Sequence, residues 1–158
     1  ELIPKKAPQL VSAALLSALL AAPAALTVAR EYVSRYELYG TGAMNLALFI
    51  DDQLPRDAVL MTDQRHNNEA AALAGRSIVC GSPIYLYYHG LNYYQQEWDL
   101  RTMYEEPGKN LELFKRHGVD YVLISDFEKK SYTVDTAWFD ENLPKEFDDG
   151  GRILYRVD

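Results

Sequence analysis

The chain has 158 residues, enough for one domain with a real hydrophobic core, and carries 16 basic against 23 acidic residues, a formal charge of −7. Residues 1–30 hold Lys5, Lys6 and Arg30 against Glu1, leaving 13 basic and 22 acidic residues, −9, for the rest; an acidic domain without a basic stripe excludes a nucleic-acid binder, since neutralising phosphates takes clustered Lys and Arg. The single cysteine, Cys80, excludes an internal disulfide or multi-cysteine metal site and reads as a small buried hydrophobe.

The first predicted element is "LVSAALLSALLAAPAALTVA", residues 10–29, 20 residues without a charge. At 1.5 Å per residue such a helix is about 30 Å long, the thickness of a bilayer's hydrocarbon core. Pro23 would kink a soluble helix but is tolerated more readily in lipid. A signal peptide is the rival, with Lys5 and Lys6 as its charged start and "AAPAA" as small residues for cleavage; its h-region would be unusually long. A buried Ala/Leu helix of a soluble protein is a third option. For a span, Lys5 and Lys6 favour an inside N-terminus, Arg30 and Arg35 on the far side weaken that inference, and the acidic remainder then lies outside the cytoplasm. Tyr32, Tyr36 and Tyr39 follow where a helix leaves the bilayer. A chain that starts just before a span, without Met, reads as part of a longer protein whose remainder lies upstream.

The expected division is a hydrophobic helix with its continuation over residues 1–39 and a soluble α/β domain over 40–158. "AMNLALFIDDQLP" (43–55) predicts a helix ended by Pro55, and "AVLMTD" (58–63) a buried strand. "NEAAALAG" (68–75) predicts a helix closed by Gly, and "SIVCG" (77–81) a second strand. Residues 82–109 interrupt the alternation as a long aromatic and polar insertion, functional or hiding an element. "NLELFKRHG" (110–118) is an amphipathic helix stopped by Gly118, "DYVLIS" (120–125) a third apolar strand, and "TAWFDENLP" (136–144) a short helix. "KEFDDGGRILYRV" (145–157) predicts a closing hairpin around Asp149-Gly150-Gly151, while "YEEPGK" and "FEKK" read as solvated loops. Together these predict an α/β fold: a small three-layer, Rossmann-like, mostly parallel sheet with a C-terminal antiparallel edge hairpin, after an N-terminal hydrophobic helix.

Two stretches are candidates for chemistry. In "TDQRHNNEAAALAGR" (62–76), Asp63, Arg65, His66, Asn67 and Asn68 form the loop at a strand's carboxyl end, where open α/β sheets bind ligands and where a helix start offers N–H groups to an anion. Asn67 or Asn68 is equally an ordinary N-cap, and Asp63 an ordinary turn cap. In "YLYYHGLNYYQQEW" (85–98), Tyr85, Tyr87, Tyr88, Tyr93, Tyr94 and Trp98 form either a stacking surface for a sugar ring or lipid headgroup, or packing of the loop onto the sheet and the membrane interface. His89 beside Gly90 and His66 make half a metal site at best, and His117 sits at an exposed helix end. "GTGAMN" (40–45) lacks the third Gly and preceding strand of a dinucleotide site, and no phosphate-loop or nucleophile-elbow pattern occurs. No catalytic residue and no metal ligand set is assigned.

The order of an apolar span, "LPRDAVLMTDQRHNNEAAALAGRSIVCG", "YLYYHGLNYYQQEWDLRTMY", "LFKRHGVDYVLISDFE" and a terminal "RILYRV" resembles the extracytoplasmic C-terminal domain of GT-C-class multi-span membrane glycosyltransferases, akin to protein mannosyltransferases. The resemblance covers residues 10–158. It implies a cell-membrane protein whose transferase uses a polyprenyl-phosphate-linked sugar, with the catalytic acidic residue, often with a divalent metal, in an upstream region absent here. This part needs no cofactor and is an accessory cap meeting the bilayer, the upstream transmembrane region, and the donor sugar or acceptor. His66, Asn67, Asn68, Arg76, His89 and Tyr93 match its characteristic runs and join Asp63 and Arg65 as expected contacts, none catalytic. The alternative is a membrane-anchored α/β module that binds a ligand or partner without chemistry.

Overall fold

A computed structural model of the chain describes residues 6–34 and 36–157. Glu1, Lys5 and Arg35, which enter the charge comparison across the apolar run, lie outside the described residues. The chain divides into two compact units, residues 1–38 and 39–158.

The first unit is one helix, α1 (Lys6–Val33), 28 residues long. Its stretch Pro8–Val33 has a mean hydropathy of 2.0 and is long and apolar enough to cross a membrane. The helix continues through Pro23, and Thr27 Oγ1 donates to the Pro23 carbonyl at 2.9 Å, so its hydroxyl is satisfied within the helix. Its leucines and valines, from Leu10 to Val28, are 57–71% exposed: the helix is apolar all round and uncovered.

The second unit is built on a five-stranded sheet: β1 (Val59–Met61), β2 (Ser77–Ile78), β3 (Tyr121–Ser125), β4 (Lys145–Asp148) and β5 (Arg152–Arg156), in the order β2-β1-β3-β5-β4. β1 pairs in parallel with β2 and β3, while β5 runs antiparallel to both β3 and β4. Four strands thus point one way, with β5 the exception, as the α/β pattern with a closing hairpin predicts. The apolar character of the strand segments follows from burial on both faces. Leu60, Leu123 and Leu154 pack against Leu46, Ala47 and Ile50 of α2 (Thr41–Gln53) and Ala70 of α3 (Glu69–Ala72). Their neighbours Met61, Val122, Ile124 and Tyr155 point to the other face, with Leu100, Met103 and Tyr104, Leu113 and Phe114, and Phe139. Cys80 is buried in that second core.

Residues 82–109 are not an irregular insertion. They hold α4 (Pro83–Tyr88), α5 (Tyr94–Glu105) and a 3-10 turn (Pro107–Lys109). Pro83 in the first turn starts α4, and the buried Asp99, Leu100, Met103 and Tyr104 make the i, i+4 stripe that docks α5. α6 (Leu111–His117) ends as predicted at Gly118, whose φ of +59° only glycine adopts without strain. "FEKK" is not a solvated loop but part of α7 (Asp126–Ser131), entered directly from β3; α8 (Thr136–Asn142) follows. The β4–β5 turn uses Gly150 at φ +83°, with Asp149 Oδ1 accepting from the N–H groups of Gly151 and Arg152.

Candidate functional site

The carboxyl ends of β1 and β3 deliver Asp63 and Ser125 side by side. Ser125 caps α7 in a capping box: its Oγ accepts from Phe127 N at 3.1 Å, and Glu128 returns a carboxylate oxygen to Ser125 N at 2.8 Å. The other Glu128 oxygen accepts from Asp63 N at 2.9 Å. Glu128 is wholly buried, and burial pushes its carboxyl above the ordinary range; the Ser125 hydroxyl pulls it down and the Asp63 charge raises it further.

Asp63, 1% exposed, accepts from Asn68 Nδ2 at 2.8 Å and is ion-paired with Arg65 Nε. Arg65 also reaches Glu69 at 3.2 Å, and its guanidinium lies 3.2 Å over the Phe127 ring. Glu69, equally buried, takes a second guanidinium from Arg152 Nε of β5 at 2.9 Å. Three buried carboxyl groups and two arginines therefore tie β1, α3, α7 and β5 together at one edge of the sheet. Two clefts of about 270 Å³ flank this network, one lined by Asp63, Gln64, Arg65, Arg101, Ser131 and Tyr132, the other by Ser125–Phe127, Lys130, Gly151 and Arg152.

Of the expected contact residues, Asp63, Arg65 and Asn68 come together in this network. Asn68 is the N-cap of α3, its Oδ1 accepting from Ala70 N at 2.9 Å and Ala71 N at 3.4 Å, so those helix-start donors are used internally. His66 is exposed on the rim, its ring edge-on to Tyr85 at 5.7 Å, and Asn67 is half-buried in the turn. Arg76 lies elsewhere, buried beneath the end of α2, where Nη2 donates to the carbonyls of Ile50 at 3.0 Å, Leu54 at 3.2 Å and Asp51 at 3.3 Å. His89 caps the end of α4 and is exposed. Tyr93 stacks on Tyr94 at 4.7 Å and borders a separate cleft of about 330 Å³ beside Cys80. His117 is not at an exposed end: its side chain is 15% exposed and pairs with buried Asp99 at 2.8 Å. Among the described residues no group of three His, Cys, Asp or Glu side chains is arranged to hold a metal.

Sequence reading missed Glu69, Phe127, Glu128 and Arg152. "SDFE" (125–128) immediately after a strand is a capping-box pattern and could have located Glu128; nothing local marks Arg152, which lies 83 residues from its partner Glu69.

No protein-family model matches the chain, and no curated protein matches it. Among solved structures it is similar to the C-terminal globular domain of an oligosaccharyltransferase from Archaeoglobus fulgidus, with a TM-score of 0.52 and 12% identity over 76% of this chain and 99% of that one. At 12% identity the likeness is one of fold.

Proposed function

We propose that this chain is an accessory, extracytoplasmic domain of an integral-membrane glycosyltransferase of the GT-C kind, tied to the bilayer by α1, and that the transferase uses a polyprenyl-phosphate sugar. One observation carries the reading: a domain sharing its fold with virtually the whole C-terminal domain of an oligosaccharyltransferase follows, in the same chain, a helix able to cross a membrane. The catalytic acid lies outside these residues, in an upstream transmembrane region. That fits the site, because Asp63, Glu69 and Glu128 are buried and already committed to partners within the fold. Beside that network Arg101 lines one cleft and Lys130 the other, a setting for the anionic donor or for acceptor, while Arg65 and Arg152 are themselves paired with Asp63 and Glu69. A membrane-anchored module that binds such a ligand without chemistry is the second reading, favoured by the same internal commitment of the carboxylates.

The test is the native protein in its source membranes, detected with an antibody to residues 31–158. A species far larger than 18.0 kDa, released only by detergent and transferring sugar from a polyprenyl-phosphate donor, supports the proposal. Release without detergent at 18.0 kDa overturns it, and a large species that binds the donor without transfer favours the second reading.

A further inference from the structure

Residues 77–96 contain no Asp, Glu, Lys or Arg, although a quarter of the chain is charged. Within and just after this stretch, Tyr85, Tyr87, Tyr88, Leu91, Tyr94 and Trp98 are 53–77% exposed, as is Ile84 at 57%. They do not pack the segment onto the sheet. Elsewhere in unit 39–158 the exposed large apolar side chains are fewer: Met44 and Leu48, one turn apart on α2, Leu73 and Leu111. Leu91 N donates to Leu86 O at 3.0 Å, closing the end of α4, Tyr87 and Tyr88 are in ring contact at 5.6 Å, and Tyr94 and Trp98 stand one turn apart on α5. With aromatic side chains of roughly 150–250 Å² each, the exposed surface summed over these side chains is on the order of 700 Å².

We propose that the α4–α5 segment is a membrane-interface surface, with its Tyr and Trp rings seated among the headgroups of the bilayer that α1 enters. This rests on the membrane-anchored reading of the chain. Two features select lipid over a protein partner. The exposed rings are Tyr and Trp, whose apolar body and polar tip suit the lipid–water boundary. Residues 77–96, which hold α4 and the first turn of α5, are also the longest uncharged stretch of a domain whose acidic excess would be repelled by anionic lipid elsewhere.

The experiment uses the whole chain reconstituted into phosphatidylcholine vesicles whose acyl chains carry bromine near the headgroup end. Flotation reports whether α1 anchors the chain, and bromine quenching of tryptophan reports the interface. The chain has two tryptophans, Trp98 in the patch and half-buried Trp138, so the Trp98→Phe variant separates them. The expected result is flotation of both proteins, with quenching in the wild type that disappears in Trp98→Phe. Flotation with no quenching, or with equal quenching in both, overturns the interface while leaving the anchor intact. Failure to float removes the anchor and this proposal together.

Discussion

The backbone N–H of Asp63 donates to Glu128 Oε1 at 2.9 Å, joining the carboxyl ends of β1 and β3 through a side chain that also caps α7. One carboxyl group therefore closes three donors that burial removes from water: the N–H groups of Asp63 and Ser125 and the Ser125 hydroxyl. Glu128→Ala orphans them, and the expected cost is about 3 kcal/mol. Urea denaturation of the chain in detergent measures it, and a loss below about 1 kcal/mol would mean that water replaces the carboxylate.

The same residue has a pH signature. Burial raises the Glu128 carboxyl above its ordinary 4.5, so the folded chain binds that proton more tightly than the unfolded chain. Its contribution is present below 4.5 and is lost as pH rises through the raised value. Asp99 has the opposite sign. Burial opposes its charge, but hydrogen bonds from His117 and Gln95 outweigh burial and hold it below its ordinary 3.8, so its contribution is present above 3.8 and is lost as pH falls through the lowered value. Melting curves of wild type and Glu128→Gln between about pH 4 and 8 should show the wild-type advantage shrinking with rising pH. A growing advantage would mean that the three donors keep Glu128 ionised.

Arg76 serves α2 rather than the sheet edge. Its guanidinium, 4% exposed, donates at the end of α2 to the carbonyls of Asp51 and Leu54 and, beside Leu54 N–H, to that of Ile50. Arg76→Ala should cost about 3 kcal/mol of stability while ligand affinity of the folded protein stays unchanged. Weaker ligand binding at full stability would return Arg76 to the site.

His66 sits exposed beside Tyr85, with Asn67 half-buried, so His66→Ala combined with Asn67→Ala should shift stability by no more than about 1 kcal/mol. We expect transfer activity of the full-length protein to fall in this variant. Unchanged transfer with an unchanged melting temperature would leave the stretch as turn and cap chemistry.

Gly118 holds φ +59° with open space where a Cβ would stand, so Gly118→Ala meets backbone strain alone. The expected loss is about 1 kcal/mol, read from the shift in urea midpoint at constant slope.

The apolar run of residues 10–29, the strand segments and the Gly118 stop were legible because each is written within a few neighbouring residues: uncharged length, continuous apolar runs, and a glycine after an amphipathic stripe. α4 and α5 were hidden because tyrosine favours strands on average, and only docking of Leu100, Met103 and Tyr104 against the sheet makes their helical spacing visible. In the opening candidate stretch, Asn68 as N-cap was readable from its position before a helix former. The joining of Asp63 to Glu128 and of Glu69 to Arg152 was not.

By itself, then, the amino-acid order determined the class of the fold and the membrane-capable helix, since hydrophobic length and periodicity are local properties. Only the tertiary structure decided which carboxylates share a site, that Arg76 braces α2, and that the aromatic rings of α4 and α5 remain uncovered. The reason is physical: hydrogen-bond partners and exposure depend on which distant segments fold alongside one another, and residues 65 or 83 positions apart carry no local record of meeting.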